Sequence, residues 1–391
     1  MVESLMELPP NNIEQILSKL PIKSIVAFRC ACKTLLNLTS SSNPHFTALH
    51  SSNASQNLII QFGRYCPYTL SNSVHLLDAQ LDLNPGSSVE KLPPSPLFEL
   101  PDWAEKLGNF ALVNACNGLL FFAVKFVLAQ QCSLVCNPIT KEHVRVPEVI
   151  YQKTTTSGLW LGFSPNSRVY KVLRIYTYNH SPGPGVIAAH IHDVGSSSWR
   201  DVVSTPLDNI DWNNSYAFIN GIGYWICQYD PDFNRPPANF IVFFDFESEI
   251  FGKIDAPPGF DECRLENRYF MNIGIVGDLL CLIDSTETLE IWVLNKCGEW
   301  LKQFSSVEAL KKPLFQFFGA VKNPRIGTML RPLQLLSSGE ILMDLNSRNL
   351  VCCDMKKENS FRLINLHMDS SSTLVTFVPS FVSLKDALMG N

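Results

Sequence analysis

The first fifty residues carry apolar side chains at the spacing of short amphipathic helices. Four of these side chains share one helical face at positions i, i+3, i+4 and i+7, and they are Ile13, Ile16, Leu17 and Leu20. Pro21 ends this helix and suits the first position of the next one, because its missing N–H needs no partner there. The pattern therefore predicts two short helices that meet at Pro21.

A second apolar stripe follows Pro21, and a further short helix is predicted to open at Asn43-Pro44. The second stripe consists of Ile22, Ile25, Val26 and Phe28. A unit of about 40 residues cannot bury all of these side chains by itself, because it has too much surface for its volume. Some of them must face a partner or the rest of the chain. If these side chains face a partner, the helices form a docking module for another protein. If they face the rest of the chain, the helices form a cap over one end of a larger domain.

From residue 57 the periodicity changes to that of short strands, and one unit recurs along the rest of the chain. Each unit has an apolar strand that ends near an Asp or Asn, a polar turn, and a second strand that often carries an aromatic residue. Successive units are 50 to 59 residues apart, measured between Asp78, Asn137, Asp193, Asp245, Asn295 and Asp354. A near-constant period of this size is typical of one four-stranded propeller blade.

A second hairpin lies upstream of most copies of the unit. Its turn places Gly beside Asn or an acidic residue, as in Asn117-Gly118 and Asn220-Gly221. Gly accepts a positive φ angle and therefore closes a tight hairpin. Two hairpins give four strands per unit, and six units give a ring. We predict an all-β propeller of six blades, with seven blades left open and a pair of packed sheets as the alternative fold.

The ring also has a candidate for its closure. Residues 374–378 have the pattern of a strand but no hairpin partner of their own. Pairing with the strand at 58–62 would close the ring and remove the exposed edges that invite aggregation. The predicted fold class is thus α+β with two domains, a small N-terminal helical domain (residues 1–50) and an all-β propeller (residues 57–386).

Composition narrows the class of protein. Apolar residues make up 46% of the chain and charged residues 17%, which is typical of a packed globule and not of a disordered chain. The net charge is −5 and no basic run occurs, so we expect no nucleic-acid partner. No secretory signal is visible, and the apolar run at 118–124 is too short to span a bilayer. We therefore expect an intracellular protein of the cytoplasm or nucleus, with no membrane partner and with reduced cysteines.

Candidate chemistry is sparse. His190 and His192 alternate on a predicted strand and share one face, but no further ligands complete a zinc site. The cysteine pairs lack the repeated C-x-x-C spacing of zinc ribbons. The sequence contains no nucleophile elbow, P-loop or H-E-x-x-H motif. We expect no metal, no cofactor and no catalytic residue, while a propeller enzyme whose site is built from distant loops is left open.

Aromatic residues in polar, Pro-rich or Gly-rich segments are the candidates for binding a target. Protein interfaces favour aromatic anchors, and loops clustered at one end of a propeller form a natural binding surface. The aromatic residues predicted to lie in exposed loops are Trp103, Trp160, Tyr176, Tyr178, Trp212, Tyr229 and Phe233. The tryptophans at repeat-equivalent strand positions, which we predict to be core residues, are Trp199, Trp225, Trp292 and Trp300.

Residues 8–46 resemble the F-box, a small helical module. The matching positions are Leu8-Pro9, Ile16-Leu17, Leu20-Pro21, Ile25, Phe28-Arg29-Cys30, Cys32-Lys33, Leu38 and Pro44-x-Phe46. Leu35 stands where the family usually has Trp, and Leu buries less area than Trp. The repeats resemble the kelch-related F-box-associated domain. Their matching positions are Asn117-Gly118-Leu119-Leu120, Cys136-Asn137-Pro138-Ile139-Thr140 followed by Val146-Pro147, Leu161-Gly162-Phe163-Ser164-Pro165 with Tyr170-Lys171-Val172, and Ser196-Ser197-Ser198-Trp199-Arg200.

This resemblance implies a non-catalytic substrate receptor of an SCF-type ubiquitin ligase. Its F-box is expected to bind a Skp-type adaptor and, through it, a cullin scaffold, and its propeller is expected to present an unknown target protein. The implied adaptor contacts are Leu8, Pro9, Ile16, Leu17, Leu20, Pro21, Ile25 and Phe28, with Arg29 and Lys33 as a polar rim. The alternative function is a carbohydrate- or small-molecule-binding propeller with a degenerate F-box, since aromatic residues in loops also stack on sugar rings.

Overall fold

The structure is a computed structural model that describes residues 7–40, 43–63, 70–77, 96–107, 110–124, 132–148, 154–178, 186–203, 211–228, 240–258, 271–285, 288–306, 330–357, 361–365 and 372–385. Four short helices come first, and they are α1 (Pro10–Leu17), α2 (Ile22–Arg29), α3 (Lys33–Leu38) and α4 (Pro44–Asn53). Pro21 precedes α2 by one residue, and the Asn43 side chain caps α4 by accepting a hydrogen bond from the Phe46 N–H (3.2 Å). The described part of the chain contains no candidate membrane-spanning helix.

Six antiparallel sheets of four strands follow, as predicted. The strands of blades 1 to 3 are β1 (Asn57–Gly63), β2 (Leu70–Leu77) and β3 (Phe98–Glu99); β4 (Phe110–Cys116), β5 (Leu119–Val124), β6 (Ser133–Cys136) and β7 (His143–Val146); and β8 (Thr154–Ser164), β9 (Val169–Tyr178), β10 (Val186–Asp193) and β11 (Arg200–Asp201). A short helix, α5 (Asp102–Leu107), lies between β3 and β4.

The remaining strands form blades 4 to 6 and complete blade 1. They are β12 (Asp211–Ile219), β13 (Ile222–Gln228), β14 (Phe240–Asp245) and β15 (Ile250–Asp255); β16 (Met271–Val276), β17 (Leu279–Asp284), β18 (Leu289–Leu294) and β19 (Trp300–Ser306); β20 (Leu330–Leu335), β21 (Glu340–Leu345), β22 (Asn349–Asp354) and β23 (Phe361–Asn365); and β24 (Thr373–Phe377). The blade number of six is therefore confirmed.

The last strand closes the ring as the sequence predicted. β24 pairs antiparallel with β1, and Leu58 lies opposite Thr376. The sheet order β24-β1-β2-β3 makes the C-terminal strand the innermost strand of the first blade. Contacts between neighbouring blades then run through β24, β4, β8, β12, β16 and β20 in turn and return to β24. The edge that an open sheet would expose is thus paired.

Buried polar side chains join neighbouring blades where backbone pairing is absent. Asn114 on β4 donates a hydrogen bond to the Leu161 carbonyl (2.8 Å) and accepts one from the Leu161 N–H (3.0 Å). Gln61 on β1 makes the same kind of paired contact with the Phe110 carbonyl and the Leu112 N–H, each at 2.7 Å. These side chains pair with buried backbone groups of the neighbouring blade, as buried N–H and C=O groups require.

Two of the four tryptophans predicted as core residues are buried, and two are half-buried. Trp225 and Trp292 lie in the hydrophobic core. Trp199 and Trp300 are half-buried and donate their indole N–H to backbone carbonyls of the preceding blade, those of Pro147 (2.9 Å) and Asp255 (2.8 Å). Their repeat-equivalent positions therefore serve contacts between blades and not the interior of a blade.

Candidate functional site

The helical module exposes a set of large apolar side chains. We call this set the apolar patch, and its members are Leu8 (38% exposed), Ile16 (42%), Val26 (37%) and Leu36 (42%). Ile16 lies on α1, Val26 on α2 and Leu36 on α3, so three different helices contribute to the patch. A small module that exposes several large apolar side chains offers candidate contacts for another protein.

The inner face of the same helices forms the core of the module. Leu17, Ile25 and Leu35 are completely buried, and Phe46 from α4 joins them in one apolar cluster. The prediction that Leu17 and Ile25 lie on the docking surface therefore needs correction. Each helix has only two turns, and its apolar stripe is wide enough for one edge to pack inward while the other edge stays exposed. Leu17 and Ile25 support the apolar patch from behind.

The other predicted adaptor residues divide between exposed and half-buried positions. Pro9, Pro21 and Lys33 are exposed, whereas Leu20, Phe28 and Arg29 are half-buried. Leu36 was not among the predicted contacts, and neither was Val26, although Val26 belongs to the second apolar stripe. A signal for Leu36 exists in the sequence, because Leu35-Leu36 places two apolar side chains on different faces of one short helix.

The helical module also exposes three lysine side chains. Lys19, Lys23 and Lys33 are exposed. The nearest carboxylate on α1, that of Glu14, is buried and contacts the Asn43 amide (2.6 Å) and the His45 imidazole (2.5 Å). This internal contact ties α1 to α4 and removes one negative charge from the surface. We call Lys19, Lys23 and Lys33 the basic rim, and their positive charges are complementary to an acidic partner.

Two of the predicted target-binding aromatics are core residues. Trp160 on β8 is 5% exposed and packs against Trp225, with 5.1 Å between ring centroids. Tyr176 on β9 is 2% exposed, and its hydroxyl lies 2.7 Å from Nε2 of His190. The prediction that they lie in exposed loops is wrong. Their polar and Gly-rich neighbours belong to β8 and β9, which are longer than a typical strand.

The other predicted aromatics have different positions. Tyr178 and Trp212 belong to β9 and β12, so they do not lie in loops either, and their side chains are outside the described residues. Tyr229 and Phe233 are outside the described residues as well. Trp103 lies on α5, is half-buried, and has the Arg145 guanidinium 5.3 Å from its ring centroid. The described residues therefore do not bring these aromatics together in one surface.

The histidine pair of the sequence is buried. His190 and His192 are 3% and 1% exposed, and burial lowers the pKa of both imidazoles. His190 contacts Tyr176 and Asp201, while Nδ1 of His192 lies 3.0 Å from the Ser198 carbonyl. No group of three or more metal-ligating side chains occurs in the described part of the chain. These contacts give both histidines a role in packing blade 3.

The two ends of the propeller differ in their connections. At one end, tight turns such as 117–118, 220–221 and 277–278 join neighbouring strands, apart from residues 78–97. At the other end, several connections are longer, for example 229–239 and 307–329. We call these the tight-turn end and the long-connection end. The helical module enters β1 at the tight-turn end, where β24 also finishes.

A small cavity separates part of the helical module from the propeller. Its volume is about 270 Å³, and its lining includes Leu20, Pro21, His50, Asn57 and Pro379. His50 is 2% exposed, and burial lowers its pKa to about 4. The imidazole is therefore neutral at physiological pH. The cavity is smaller than the ~300–1,000 Å³ of most ligand pockets, and we assign it no ligand.

The sequence of the chain matches two protein families. The F-box domain matches residues 5–47. The F-box associated beta propeller domain matches residues 73–384, which is most of the chain. The F-box match covers α1 to α3 and the start of α4, and the propeller match runs from within β2 to the residues after β24, so sequence and fold agree about the architecture.

Relatives that match most of the chain occur in Arabidopsis thaliana. F-box protein At3g07870 is 28% identical over 380 residues, which cover 89% of this chain and 85% of that protein. F-box protein At2g07140 is 24% identical, with coverage of 98% and 97%. F-box/kelch-repeat protein At3g17530 is 26% identical, with coverage of 75% and 72%. The chain therefore belongs to the F-box proteins that carry an F-box associated beta propeller domain.

Proposed function

We propose that the chain is a substrate-recognition subunit of an SCF-type ubiquitin ligase and has no catalytic residue of its own. The observation that carries this proposal is the apolar patch on the F-box, formed by Leu8, Ile16, Val26 and Leu36. A Skp-type adaptor covers these side chains and connects the chain to a cullin scaffold. The basic rim of Lys19, Lys23 and Lys33 favours an acidic surface on the adaptor.

The target protein binds at the long-connection end of the propeller. Support comes from the position of the F-box, which occupies part of the tight-turn end together with the C-terminal residues. The Gly118 and Asn137 turns of blade 2 contact Ser380, so this part of the tight-turn end is covered by the chain itself. Binding surfaces of propellers are built from the connections between strands, and the opposite end has the longer ones.

The adaptor contact is tested by co-purification of a Skp-type adaptor with the full chain. Ile16→Asp together with Leu36→Asp places two charges in the apolar patch and leaves the buried cluster of Leu17 and Ile25 intact. We expect the double variant to lose the adaptor. Ile250→Asp is the matched control, because Ile250 is 56% exposed on the outer strand β15, and it should retain the adaptor. A wild-type chain that captures no Skp-type adaptor would contradict the proposal.

Photo-crosslinking tests which end of the propeller binds the target, once a target has been identified. A photoreactive residue at Val203, which is fully exposed next to the 204–210 connection, should crosslink the target. The same residue at Lys296, in the turn between β18 and β19, should not. Crosslinking from Lys296 and none from Val203 would place the target at the tight-turn end.

The alternative of a carbohydrate-binding propeller has lost part of its basis. It depended on exposed aromatic rings that could stack on sugars, and Trp160 and Tyr176 are buried. The exposed apolar patch on the F-box has no role in that alternative. We therefore retain the ligase function as the proposal for this chain.

A further inference from the structure

The residues after β24 leave the blade that β24 completes and cross to blade 2. We call residues 379–385 the C-terminal brace. Asn137, in the turn between β6 and β7, is completely buried and donates hydrogen bonds to the carbonyls of Ser380 (2.9 Å) and Val382 (2.8 Å). The Glu142 carboxylate accepts a hydrogen bond from the Leu384 N–H (2.8 Å). Two side chains of one turn, those of Asn137 and Glu142, thus form hydrogen bonds with the backbone of the brace.

The brace packs closely against blade 2. A Cβ atom at Gly118, where φ is +85°, would lie 2.1 Å from Cβ of Ser380, so only glycine leaves room for the brace at this turn. Leu384 is 1% exposed and belongs to the apolar cluster between blades 2 and 3 that includes Cys116. The brace is therefore fixed to the propeller along most of its length.

One side chain of the brace points away from blade 2 and into the F-box. Phe381 is completely buried. Its ring centroid lies 5.4 Å from that of Phe46 and 5.0 Å from that of His50, both on α4. The Arg29 guanidinium, at the end of α2, lies 5.0 Å from the centre of the same ring. Two helices of the F-box thus meet on one aromatic ring that belongs to the propeller domain.

We propose that the C-terminal brace sets the orientation of the F-box on the propeller and that Phe381 is its positioning residue. Residues 54–56 are the covalent link between α4 and β1. A link of three residues does not by itself fix the orientation of the F-box relative to the propeller. Phe381 holds α2 and α4, whereas Asn137 and Glu142 hold the brace. A consequence, which rests on the proposed function, is a fixed distance between the bound adaptor and the bound target.

This proposal also changes the role of Arg29. The resemblance to the F-box implied a polar rim residue of the adaptor surface, whereas the Arg29 guanidinium packs on Phe381 and is half-buried. A cation over an aromatic ring contributes to a contact most strongly where water is excluded. Arg29 therefore belongs to the junction between the domains, and Lys33 remains at the rim.

The test measures the distance between two native cysteines by pulsed electron spin resonance of the full chain. Cys30 follows α2, Cys297 lies in the turn between β18 and β19, and both are exposed and carry the spin labels. The single variants C30S and C297S each remove one of the two labels. The distance that disappears in both variants is the one between Cys30 and Cys297. We expect one narrow distance distribution in the wild-type chain. Phe381→Ala should broaden it by about twofold or more, because hinge freedom is restored.

Two further variants make the outcome decisive. Asn137→Ala releases the brace without altering the F-box, so it should broaden the distribution even if Phe381→Ala fails to fold. Phe304→Ala removes a buried ring from blade 5, away from the junction, and should leave the distribution narrow. A narrow distribution in a folded Phe381→Ala or Asn137→Ala variant, or a broad one in the wild-type chain, would overturn the proposal. The measurement uses the chain alone, so failure to bind an adaptor would not affect it.

Discussion

His50 shows how a single buried side chain links the stability of the fold to pH. It lies against Phe46 and Phe381, and its Nδ1 atom has no hydrogen-bond partner among the described residues. Burial lowers its pKa to about 4, from 6.5 for an unperturbed imidazole. Below pH 6.5 the unfolded chain binds a proton at this position that the folded chain does not bind. The folded state is therefore destabilised as the pH falls from 6.5 towards 4.

Replacement of His50 by Phe should remove this pH dependence. Phe keeps an aromatic ring between Phe46 and Phe381 but cannot take up a proton. We expect the wild-type chain to lose about 1–2 kcal/mol of unfolding free energy from this group between pH 7 and pH 5, and the variant to keep it. Denaturant unfolding of both chains at the two pH values measures the difference. Equal losses in both chains would show that His50 is not the titrating group.

Asn114 provides a second prediction at the scale of one residue. Asn114→Ala removes two hydrogen bonds to Leu161 and leaves the buried N–H of Leu161 without the Asn114 acceptor, while the Tyr216 hydroxyl still donates to the Leu161 carbonyl (3.3 Å). We expect a loss of roughly 1–3 kcal/mol of unfolding free energy. Asn272→Ala is the control, because Asn272 is also buried but its Nδ2 atom has no partner within the described residues. Equal losses for the two variants would contradict the role of Asn114 in joining blades.

Single positions were the hardest to predict from the sequence. The stripe of α1 correctly indicated which residues are apolar, but it did not distinguish Ile16, which is exposed, from Leu17, which is buried. That difference depends on how α4 packs on the helix, and such contacts are distant in sequence. Trp160 was misplaced for a related reason, since Thr154–Ser164 is one strand although its first residues are polar.

At the scale of strands and helices, neighbouring blades are joined by tryptophans in equivalent positions. Trp199 precedes β11, and Trp300 begins β19. Each donates its indole N–H to a carbonyl at the end of the outermost strand of the preceding blade, or just beyond it. The same contact thus recurs at two junctions of the ring. This hydrogen bond stabilises the outer rim of the propeller, where neighbouring blades are farthest apart.

Replacement of either tryptophan by Phe should weaken one junction. Trp300→Phe keeps an aromatic ring and removes the hydrogen bond to the Asp255 carbonyl, so we expect a loss of about 0.5–1.5 kcal/mol of unfolding free energy. Trp199→Phe should have a similar effect. The two losses should add in the double variant, because the residues share no contact. Denaturant unfolding of the three variants measures this, and an unchanged stability would show that the indole N–H groups contribute nothing.

Strands and their order were easier to predict than single positions. The recurring Asn or Asp at the end of a strand and the Gly turns gave six units, and the structure has six sheets. The closure of 374–378 with 58–62 was predictable because an unpaired strand remained at each end of the propeller. The brace was not predictable, since residues 379–385 have no periodic pattern and their partners, such as Asn137, lie more than 240 positions away.

At the scale of the whole molecule, the proposed adaptor surface and the proposed target surface lie at different ends of the ring. The F-box sits at the tight-turn end with its apolar patch uncovered, and the long connections lie at the opposite end of the ring. The C-terminal brace joins the two domains through Phe381. A receptor that brings a target to a ligase requires both surfaces to be available at the same time. The proposed arrangement meets this requirement.

The most direct test of this account is a calorimetric titration of the full chain with a purified Skp-type adaptor at several temperatures. We predict saturable binding with a negative heat-capacity change, because the adaptor buries the apolar patch. The variant with Ile16→Asp and Leu36→Asp should show no binding, and Ile250→Asp should bind like the wild-type chain. A wild-type chain that binds no adaptor, or a patch variant that binds with unchanged affinity, would contradict the account.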